Sequence, residues 1–295
     1  MSCYLSTSCY GNSYLKDSIE MCRQLNPLHI EISAPHKYQP IDELELLLKS
    51  YTKEGVKFSL HNYFPPPEKS FVLNIASNDE NVISNSKELI EGALRLCISS
   101  NSKLYGIHPG YLYSGAKANK NGNFIWNEES KSSYENCLFQ STKIVNQYFS
   151  LFKENGVHFL LENLFPSPAR KTSLFCTLQD IDEFLSMTPK DIGLLLDLGH
   201  MNITCNLMGT DKYKFLDEFL DRYGSRLVEV HISENNGRRD QHLPVKKNSW
   251  QLNAINLIKS IKLDLDIDRV YCLESRNANK DELSSSLNLI NEVIL

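Results

Sequence analysis

The chain has 295 residues, of which 41% are hydrophobic and 23% are charged, values that are ordinary for a folded globular protein. Its 36 acidic side chains outnumber its 31 basic ones, which gives a formal net charge of −5. This balance argues against a broad basic surface, so we expect a small-molecule partner and not a nucleic acid. No segment approaches the roughly 18 apolar residues that a membrane span needs.

Cysteine usage points to a reducing compartment. The eight cysteines are scattered, with no CxxC pair and no dense cluster. In a chain of this length such scattering indicates reduced thiols in a cytoplasmic protein and not a disulfide framework. The first residues lack a basic region followed by an apolar core, so we expect no signal peptide.

Strands and helices alternate along the chain, as judged from apolar runs and from apolar residues at helical spacing. In chain order the predicted elements are strand 2–7, helix 14–24, strand 28–33, helix 41–53, strand 56–61, helix 79–100, strand 103–108, helix 129–154, strand 157–162, helix 178–187, strand 192–197, helix 210–223, strand 227–231, helix 249–262, strand 269–274 and helix 279–294. Short apolar strands with little polar alternation are typical of a parallel sheet buried on both faces. Eight such units favour a closed (β/α)₈ barrel, with residues 1–295 forming one domain.

Two loops stand out between these elements. The loop after the third strand contains Pro65, Pro66 and Pro67, which fix φ and remove donors, so it should be stiff and lie over a surface. The loop after the fourth strand carries GAKANKNGN at 115–123, and we expect it to be exposed and mobile. No Gly-x-Gly-x-x-Gly follows the first strand, which counts against a dinucleotide-binding sheet.

Side chains that commonly bind metals close six consecutive strands, from the third to the eighth. They are His61, His108, Glu162, Asp197, His231 and Glu274. The C-terminal ends of barrel strands lie at one face, where active sites are built, so these side chains should meet there. Carboxylates placed side by side raise one another's pKa, and a divalent cation removes that conflict. Imidazole and carboxylate without Cys favour Zn²⁺, Mn²⁺, Co²⁺ or Fe²⁺.

Two further pairs extend this set. His200 follows Asp197 at a strand-to-loop turn, and Asp240-x-His242 follows His231 in the stretch VEVHISENNGRRDQH. A single histidine at a strand end is more often an ordinary hydrogen-bonded residue, whereas a buried unpaired glutamate is costly and harder to explain without a function. The histidines assigned to structure are His29, His36 and His158; Glu31, which faces the barrel but stands short of the tip, is also assigned to structure, and Cys272 to packing.

The motifs LHNYFPPP, GIHPG, LLEN, LLLDLGH, VHISENNGRRDQHLP and CLES span almost the whole chain. In their order and strand placement they resemble the xylose-isomerase-like barrel superfamily, which contains sugar isomerases and epimerases alongside endonuclease-IV-type enzymes. In its ketose 3-epimerases one metal is held by Glu, Asp, His and Glu. By motif position these match Glu162, Asp197, His231 and Glu274.

The resemblance implies a divalent-metal-dependent isomerase or epimerase of a sugar or sugar phosphate. Glu162 and Glu274 would exchange a proton with the sugar carbon on either face, through an enediolate. His200 and Arg238 would hold substrate oxygens. The remaining ligand-type residues would bind further metal or substrate hydroxyls; they are His61, His108, Asp240 and His242. Relatives are often dimers or tetramers, so a homo-oligomer is compatible with the sequence.

The competing member is endonuclease IV, which uses nine ligands for three zinc ions. All nine have counterparts here, namely His61, His108, Glu162, Asp197, His200, His231, Asp240, His242 and Glu274. Against a nuclease, non-nuclease relatives keep the same positions, and the loops after the second and third strands carry few cations to neutralise phosphates. Tyr63 or Phe64 could wedge into a duplex, although an aromatic lid over a sugar is favoured. Two further interpretations of the site stay open, namely another metal-dependent lyase or hydrolase and a purely structural site.

One departure from the superfamily pattern concerns phosphate. After DQHLPV relatives carry a glycine-rich turn, whereas this chain has KKNSW. If that turn binds a phosphate in relatives, either Lys246 and Lys247 replace it or the substrate lacks a phosphate.

Overall fold

Eight parallel strands close into a barrel, as the sequence predicts. The computed structural model describes residues 2–26, 28–114, 117–118, 124–167 and 171–295. The barrel strands are β1 (Ser2–Ser6), β2 (His29–Ile32), β3 (Lys57–His61), β4 (Leu104–Ile107), β5 (His158–Glu162), β6 (Gly193–Asp197), β7 (Leu227–Ile232) and β8 (Val270–Leu273). Each strand pairs with its neighbour in the chain, and β1 pairs with β8 to close the ring. The strand bounds agree with the predictions to within one residue at each end.

The helices surround the barrel in chain order. They are α1 (Leu15–Arg23), α2 (Ile41–Lys53), α3 (Glu80–Ser100), α4 (Tyr134–Glu154), α5 (Leu178–Ser186), α6 (Leu198–Met208), α7 (Lys212–Tyr223), α8 (Trp250–Lys259) and α9 (Lys280–Ile294). α4 begins five residues later than predicted, because Ser133 caps it through the backbone N–H of Asn136 and Glu128–Ser130 form a separate 3₁₀ turn. The other predicted helices lie within three residues of their expected bounds.

α6 is the helix that the sequence did not predict. Its residues LGHMNITCNLM are apolar around most of the circumference, so they lack the one-sided stripe that identifies a surface helix. It starts at the tip of β6, where the Asp197 side chain accepts a hydrogen bond from the His200 backbone N–H at 2.7 Å. Asp197 is therefore an N-cap as well as a candidate metal ligand.

Two apolar regions hold the barrel together. One fills the barrel with the side chains of Tyr4, Leu104, Leu160, Leu195, Val228, Val270 and Cys272, which confirms Cys272 as a packing residue. A larger one lies between the strands and the surrounding helices. All eight cysteines are buried and unpaired, as expected for reduced thiols.

Within the described ranges, none of the helices is both long enough and apolar enough to cross a membrane. Most of the 115–123 loop, for which the sequence predicts mobility, lies outside the described residues. Lys117–Ala118 within it pair antiparallel with Phe124–Ile125, which follow it. In the proline loop, Pro65 packs against α3, where a side-chain carbon added to Gly92 would lie 3.1 Å from Pro65 Cγ.

Candidate metal centre

The register of the sheet brings the strand tips together. β6 and β7 pair so that Asp197 lies opposite His231, and His231 in turn lies opposite Cys272 on β8. Glu274 follows β8 directly and is therefore level with the end of β7. β4 has Gly106 where a larger side chain would collide with its neighbour, since an added carbon would lie 3.1 Å from Cδ2 of His61. The missing side chain leaves room for the His61 ring at the mouth of the barrel.

Glu162 lies at the centre of the mouth and is 1% exposed. Its Oε2 is 2.6 Å from His61 Nε2 and 2.9 Å from His108 Nε2. Its Oε1 is 3.3 Å from His200 Nδ1. His61, His108 and Glu162 form the first group of candidate ligands. Through its Oε1, Glu162 also contacts His200, which lies outside this group.

The second group contains Asp197, His231 and Glu274, whose ligand atoms all lie within 4.8 Å of one another. His231 Nδ1 is 3.4 Å from Glu274 Oε2 and 4.0 Å from both Asp197 Oδ2 and Glu162 Oε1. Three carboxylates from three strands therefore surround one ring nitrogen. Asp197 and Glu162 also form a group of this kind with His200.

The third group lies nearer to solvent. Asp240 Oδ2 is 2.7 Å from His242 Nε2 and 3.6 Å from His200 Nε2. His242 has a φ of 46°, in the left-handed region that non-glycine residues rarely adopt. Strained backbone of this kind concentrates at functional sites, where surrounding contacts hold it in place.

Each of the five imidazoles in these groups is held through one ring nitrogen by a partner on its far side. The pairs are His61 Nδ1 with Ser33 Oγ at 3.1 Å, His108 Nδ1 with Tyr111 Oη at 2.8 Å, His200 Nδ1 with the Asn163 carbonyl at 2.9 Å, His231 Nε2 with Glu31 Oε2 at 2.6 Å and His242 Nδ1 with the Glu274 carbonyl at 3.0 Å. Metal-binding histidines are usually oriented in this way, with the second nitrogen left for the metal. The nitrogen without such a partner is Nε2 in four of the rings and Nδ1 in His231, and His200 Nδ1 additionally lies 3.3 Å from Glu162 Oε1.

Charges in the mouth shift one another strongly. Burial alone would raise the pKa of Glu162, but His108 and His61 hold it well below its usual range. Burial raises the pKa of Asp197, and the nearby charges of Glu162 and Asp240 add to that effect. Burial opposes protonation of His231, yet Glu31 raises the pKa of this ring well above its usual value. The carboxylates thus favour protonation of His231, whereas burial leaves the pKa of His108 below its usual value.

Several buried atoms of the groups have no hydrogen-bond partner among the described residues. They are Asp197 Oδ2, His231 Nδ1, Asp240 Oδ1 and His242 Nε2. Buried polar atoms are nearly always paired, and each exception calls for an explanation. Imidazole nitrogens and carboxylate oxygens that converge without hydrogen bonds are a donor set that fits a divalent cation such as zinc. The residues present therefore fit the metal that the sequence implies.

The other predicted site residues divide into two kinds. Arg238 is exposed, and its described hydrogen bond is made by its backbone N–H to Asn236 Oδ1 at 3.0 Å, so its side chain is not brought to the groups. Phe64 is fully buried in the core and is available neither as a lid nor as a wedge, whereas Tyr63 lies at the mouth with its ring 6.0 Å from that of His108. Lys246 and Lys247 are both exposed.

Two residues of the mouth were missed by sequence reasoning. Glu31, assigned above to structure, is completely buried and its carboxylate holds His231. The alternation of side chains along its strand, which directs Glu31 into the barrel, could have indicated this role. Arg276 donates a hydrogen bond from Nη2 to Glu274 Oε1 at 2.5 Å. Its position two residues beyond a strand tip was the only hint in the sequence.

The closed barrel and the groups of candidate metal ligands at its mouth define a (β/α)₈ protein. The chain belongs to the xylose isomerase-like TIM barrel family, whose model matches residues 14–293. It is 25% identical over 222 residues to MJ1614, an uncharacterised protein of Methanocaldococcus jannaschii, covering 75% of this chain and 74% of that protein.

Solved structures share the fold. The chain superposes on a D-tagatose 3-epimerase-like protein with a TM-score of 0.73 and 21% identity, covering all of both chains. It superposes on the IolI protein with a bound zinc atom with a TM-score of 0.65 and 17% identity, covering 99% of this chain and 96% of that one. At these identities the likeness concerns the fold.

Proposed function

We propose that this protein is a divalent-metal-dependent isomerase or epimerase of a ketose or ketose phosphate. The observation that supports this most directly is a pair of buried glutamates whose carboxylates both approach one ring nitrogen. Glu162 Oε1 and Glu274 Oε2 lie 4.0 Å and 3.4 Å from the same atom, His231 Nδ1. The 3-epimerase-like and zinc-containing structures of the same fold support a carbohydrate substrate and a zinc-type cofactor.

The cation would be held by Glu162, Asp197, His231 and Glu274, with Zn²⁺, Mn²⁺ and Co²⁺ as the candidates. A divalent ion bound there supplies Lewis-acid stabilisation of negative charge that develops on substrate oxygens. One glutamate takes the proton from the carbon beside the ketone, and the other returns a proton to the opposite face. Two carboxylates are needed for epimerisation, because inversion at carbon requires a base on one side and an acid on the other.

The remaining mouth residues would orient the substrate and exclude water. His200, His61 and His108 surround Glu162 and can donate to sugar hydroxyls or hold a further cation. Phe165 lies against His200, with 4.9 Å between the ring centres, and Tyr63 covers His108. An apolar rim of this kind limits hydrolysis of reactive species and strengthens the electrostatic interactions within the mouth. We place the protein in the cytoplasm, in keeping with its reduced cysteines, and its oligomeric state stays a prediction.

The test is hydrogen exchange in deuterated water. Protein reconstituted in turn with Zn²⁺, Mn²⁺ and Co²⁺ is incubated with a panel of ketoses and ketose phosphates, and NMR follows deuterium entry beside the ketone. We expect exchange with at least one substrate, reduced roughly 100-fold or more in Glu274→Gln and in Glu162→Gln. Glu68→Gln, an exposed glutamate in the proline loop, is the matched control. Exchange that persists in either buried variant would refute the assigned roles.

A second candidate function is favoured by the third group. His200, Asp240 and His242 complete a nine-residue set that matches the three-zinc arrangement of endonuclease IV, which suits hydrolysis of a phosphodiester. The net charge of −5 counts against tight DNA binding. Zinc content and nicking of an abasic duplex decide between the two. Three tightly bound zinc ions per chain together with nicking would replace the isomerase proposal, whereas one exchangeable ion without nicking supports it.

A further inference from the structure

Arg276 is a cation at the mouth to which neither the motifs nor the proposed reaction gives a role. It lies in the loop between β8 and α9, two residues beyond Glu274. Its Nη2 donates to Glu274 Oε1 at 2.5 Å, and its side chain is still 40% exposed. A guanidinium has five N–H groups, and within the described part of the chain this is its only side-chain hydrogen bond. Its other donors make no hydrogen bond within the described residues.

The two oxygens of Glu274 have separate partners. Oε1 accepts hydrogen bonds from Arg276 and from Ser8 Oγ, the latter at 3.1 Å. Oε2 points instead toward the ligand groups, 3.4 Å from His231 Nδ1 and 3.8 Å from His242 Nδ1. Arg276 thus leaves the metal-facing oxygen free, and it can remain in place when a cation is bound.

Among the described residues, three other features near the mouth that could bind an anion can be compared with Arg276. The N-terminus of α9, which begins four residues beyond Arg276, is closed by a capping box between Asn279 and Glu282. Barrels often bind phosphate at such a helix start near the seventh and eighth strands, and here the backbone N–H groups of Asn279 and Glu282 are already occupied. Lys171 is paired with Asp180 at 2.6 Å. The exposed Lys246 and Lys247 make no described contact with the ligand groups.

We propose that Arg276 is the substrate's anion-binding residue, and that the substrate carries a phosphate or carboxylate group beside the atoms that the metal binds. A guanidinium contacts either group through two parallel hydrogen bonds, which fixes orientation as well as adding affinity. A neutral sugar would give the free donors of Arg276 no charged partner. The inference rests on the proposed function for its substrate class, but the binding of an anion can be measured without turnover.

The experiment measures binding of inorganic phosphate and of acetate to the zinc-loaded protein by calorimetry, together with zinc affinity. We expect phosphate, acetate or both to bind, with affinity reduced roughly 10- to 100-fold in Arg276→Gln. The reduction should be smaller in Arg276→Lys, because lysine keeps the positive charge but cannot donate two parallel hydrogen bonds. Lys280→Gln is the matched control, because this nearby exposed lysine contacts only Gln24 among the described side chains. Zinc affinity should be unchanged or higher in Arg276→Gln.

The outcomes separate cleanly. Loss of phosphate binding alone supports a phosphate ester as substrate, and loss of acetate binding alone supports a sugar acid. Equal anion binding by wild type and Arg276→Gln overturns the inference, as does an absence of anion binding in wild type. A parallel fall in zinc affinity also overturns it, because Arg276 would then be a support for Glu274. Failure of hydrogen exchange with intact Arg276-dependent anion binding would refute the proposed function and leave this inference standing.

Discussion

Buried charged groups have different surroundings at the two ends of the barrel. At the N-terminal end, Arg269 precedes β8 and is 3% exposed. Its guanidinium donates to the carbonyls of Leu227, Gly224, Ile258 and Ile261 at 2.7 to 3.0 Å. At the C-terminal mouth, by contrast, buried acidic and imidazole atoms converge and several have no hydrogen-bond partner among the described residues.

This difference separates a structural charge from a functional one. Arg269 joins a strand, a helix and two loops, and its donors are used within the protein. The mouth keeps like charges together and leaves ligand atoms unsatisfied, which lowers stability unless a cation or substrate binds. Burial alone therefore does not identify the proposed active end of this barrel; the convergence of unsatisfied acidic and imidazole atoms does.

The largest effect on stability is expected at the N-terminal end of the barrel, where the donors of Arg269 are hydrogen-bonded. Arg269→Met should lower the free energy of unfolding by about 3–5 kcal/mol, because several buried carbonyls lose their donor. Urea denaturation measures the change. Arg226→Met is the control, since this partly exposed arginine at the same end donates to one described carbonyl, that of Lys190 at 2.8 Å. We expect less than about 1 kcal/mol there, and equal effects of the two substitutions would contradict the comparison.

At the mouth, stability should depend on metal. Zinc at about 100 to 1,000 times its dissociation constant should raise the free energy of unfolding by about 3–4 kcal/mol. Thermal unfolding with zinc and with a chelator measures this. The gain should shrink as the pH falls, because protons compete for the imidazoles.

Asp197→Asn sharpens the contrast between the two ends. The variant should lose most of the gain from zinc, yet without metal it should be at least as stable as wild type, because it removes one of several buried carboxylates that repel one another. Asparagine still caps α6, so the helix start is preserved. A loss of several kcal/mol in the metal-free variant would show that Asp197 is a structural charge like Arg269.

The smallest effect concerns a histidine outside the mouth. Burial lowers the pKa of His36 to about 4, whereas the mouth environment raises that of His231. Between pH 6.5 and 4, His36 is protonated in the unfolded chain but stays neutral in the folded protein. The free energy of unfolding therefore falls as the pH falls. Because His36 is partly exposed, we expect its contribution to be about 1–2 kcal/mol. The unfolding free energy of His36→Gln should therefore depend less on pH across this window, and curves that stay parallel to wild type would exclude the effect.

The sequence by itself determined the barrel and the kinds of ligand at its mouth. Strands and helices follow from local periodicity, and each candidate ligand marks the end of its own strand, so no long-range information was needed. α6 was missed because its apolar residues form no one-sided stripe that local periodicity could detect.

Only the tertiary structure decided how those ligands are arranged. The contact between Glu31 and His231 joins residues 200 positions apart, and that between Ser8 and Glu274 joins residues 266 positions apart. The same packing left Arg238 exposed and brought Arg276 to Glu274, although both arginines follow strand tips. Local sequence sets what a side chain can do. The closing of the barrel sets which imidazole nitrogen, which carboxylate oxygen and which cation face the mouth.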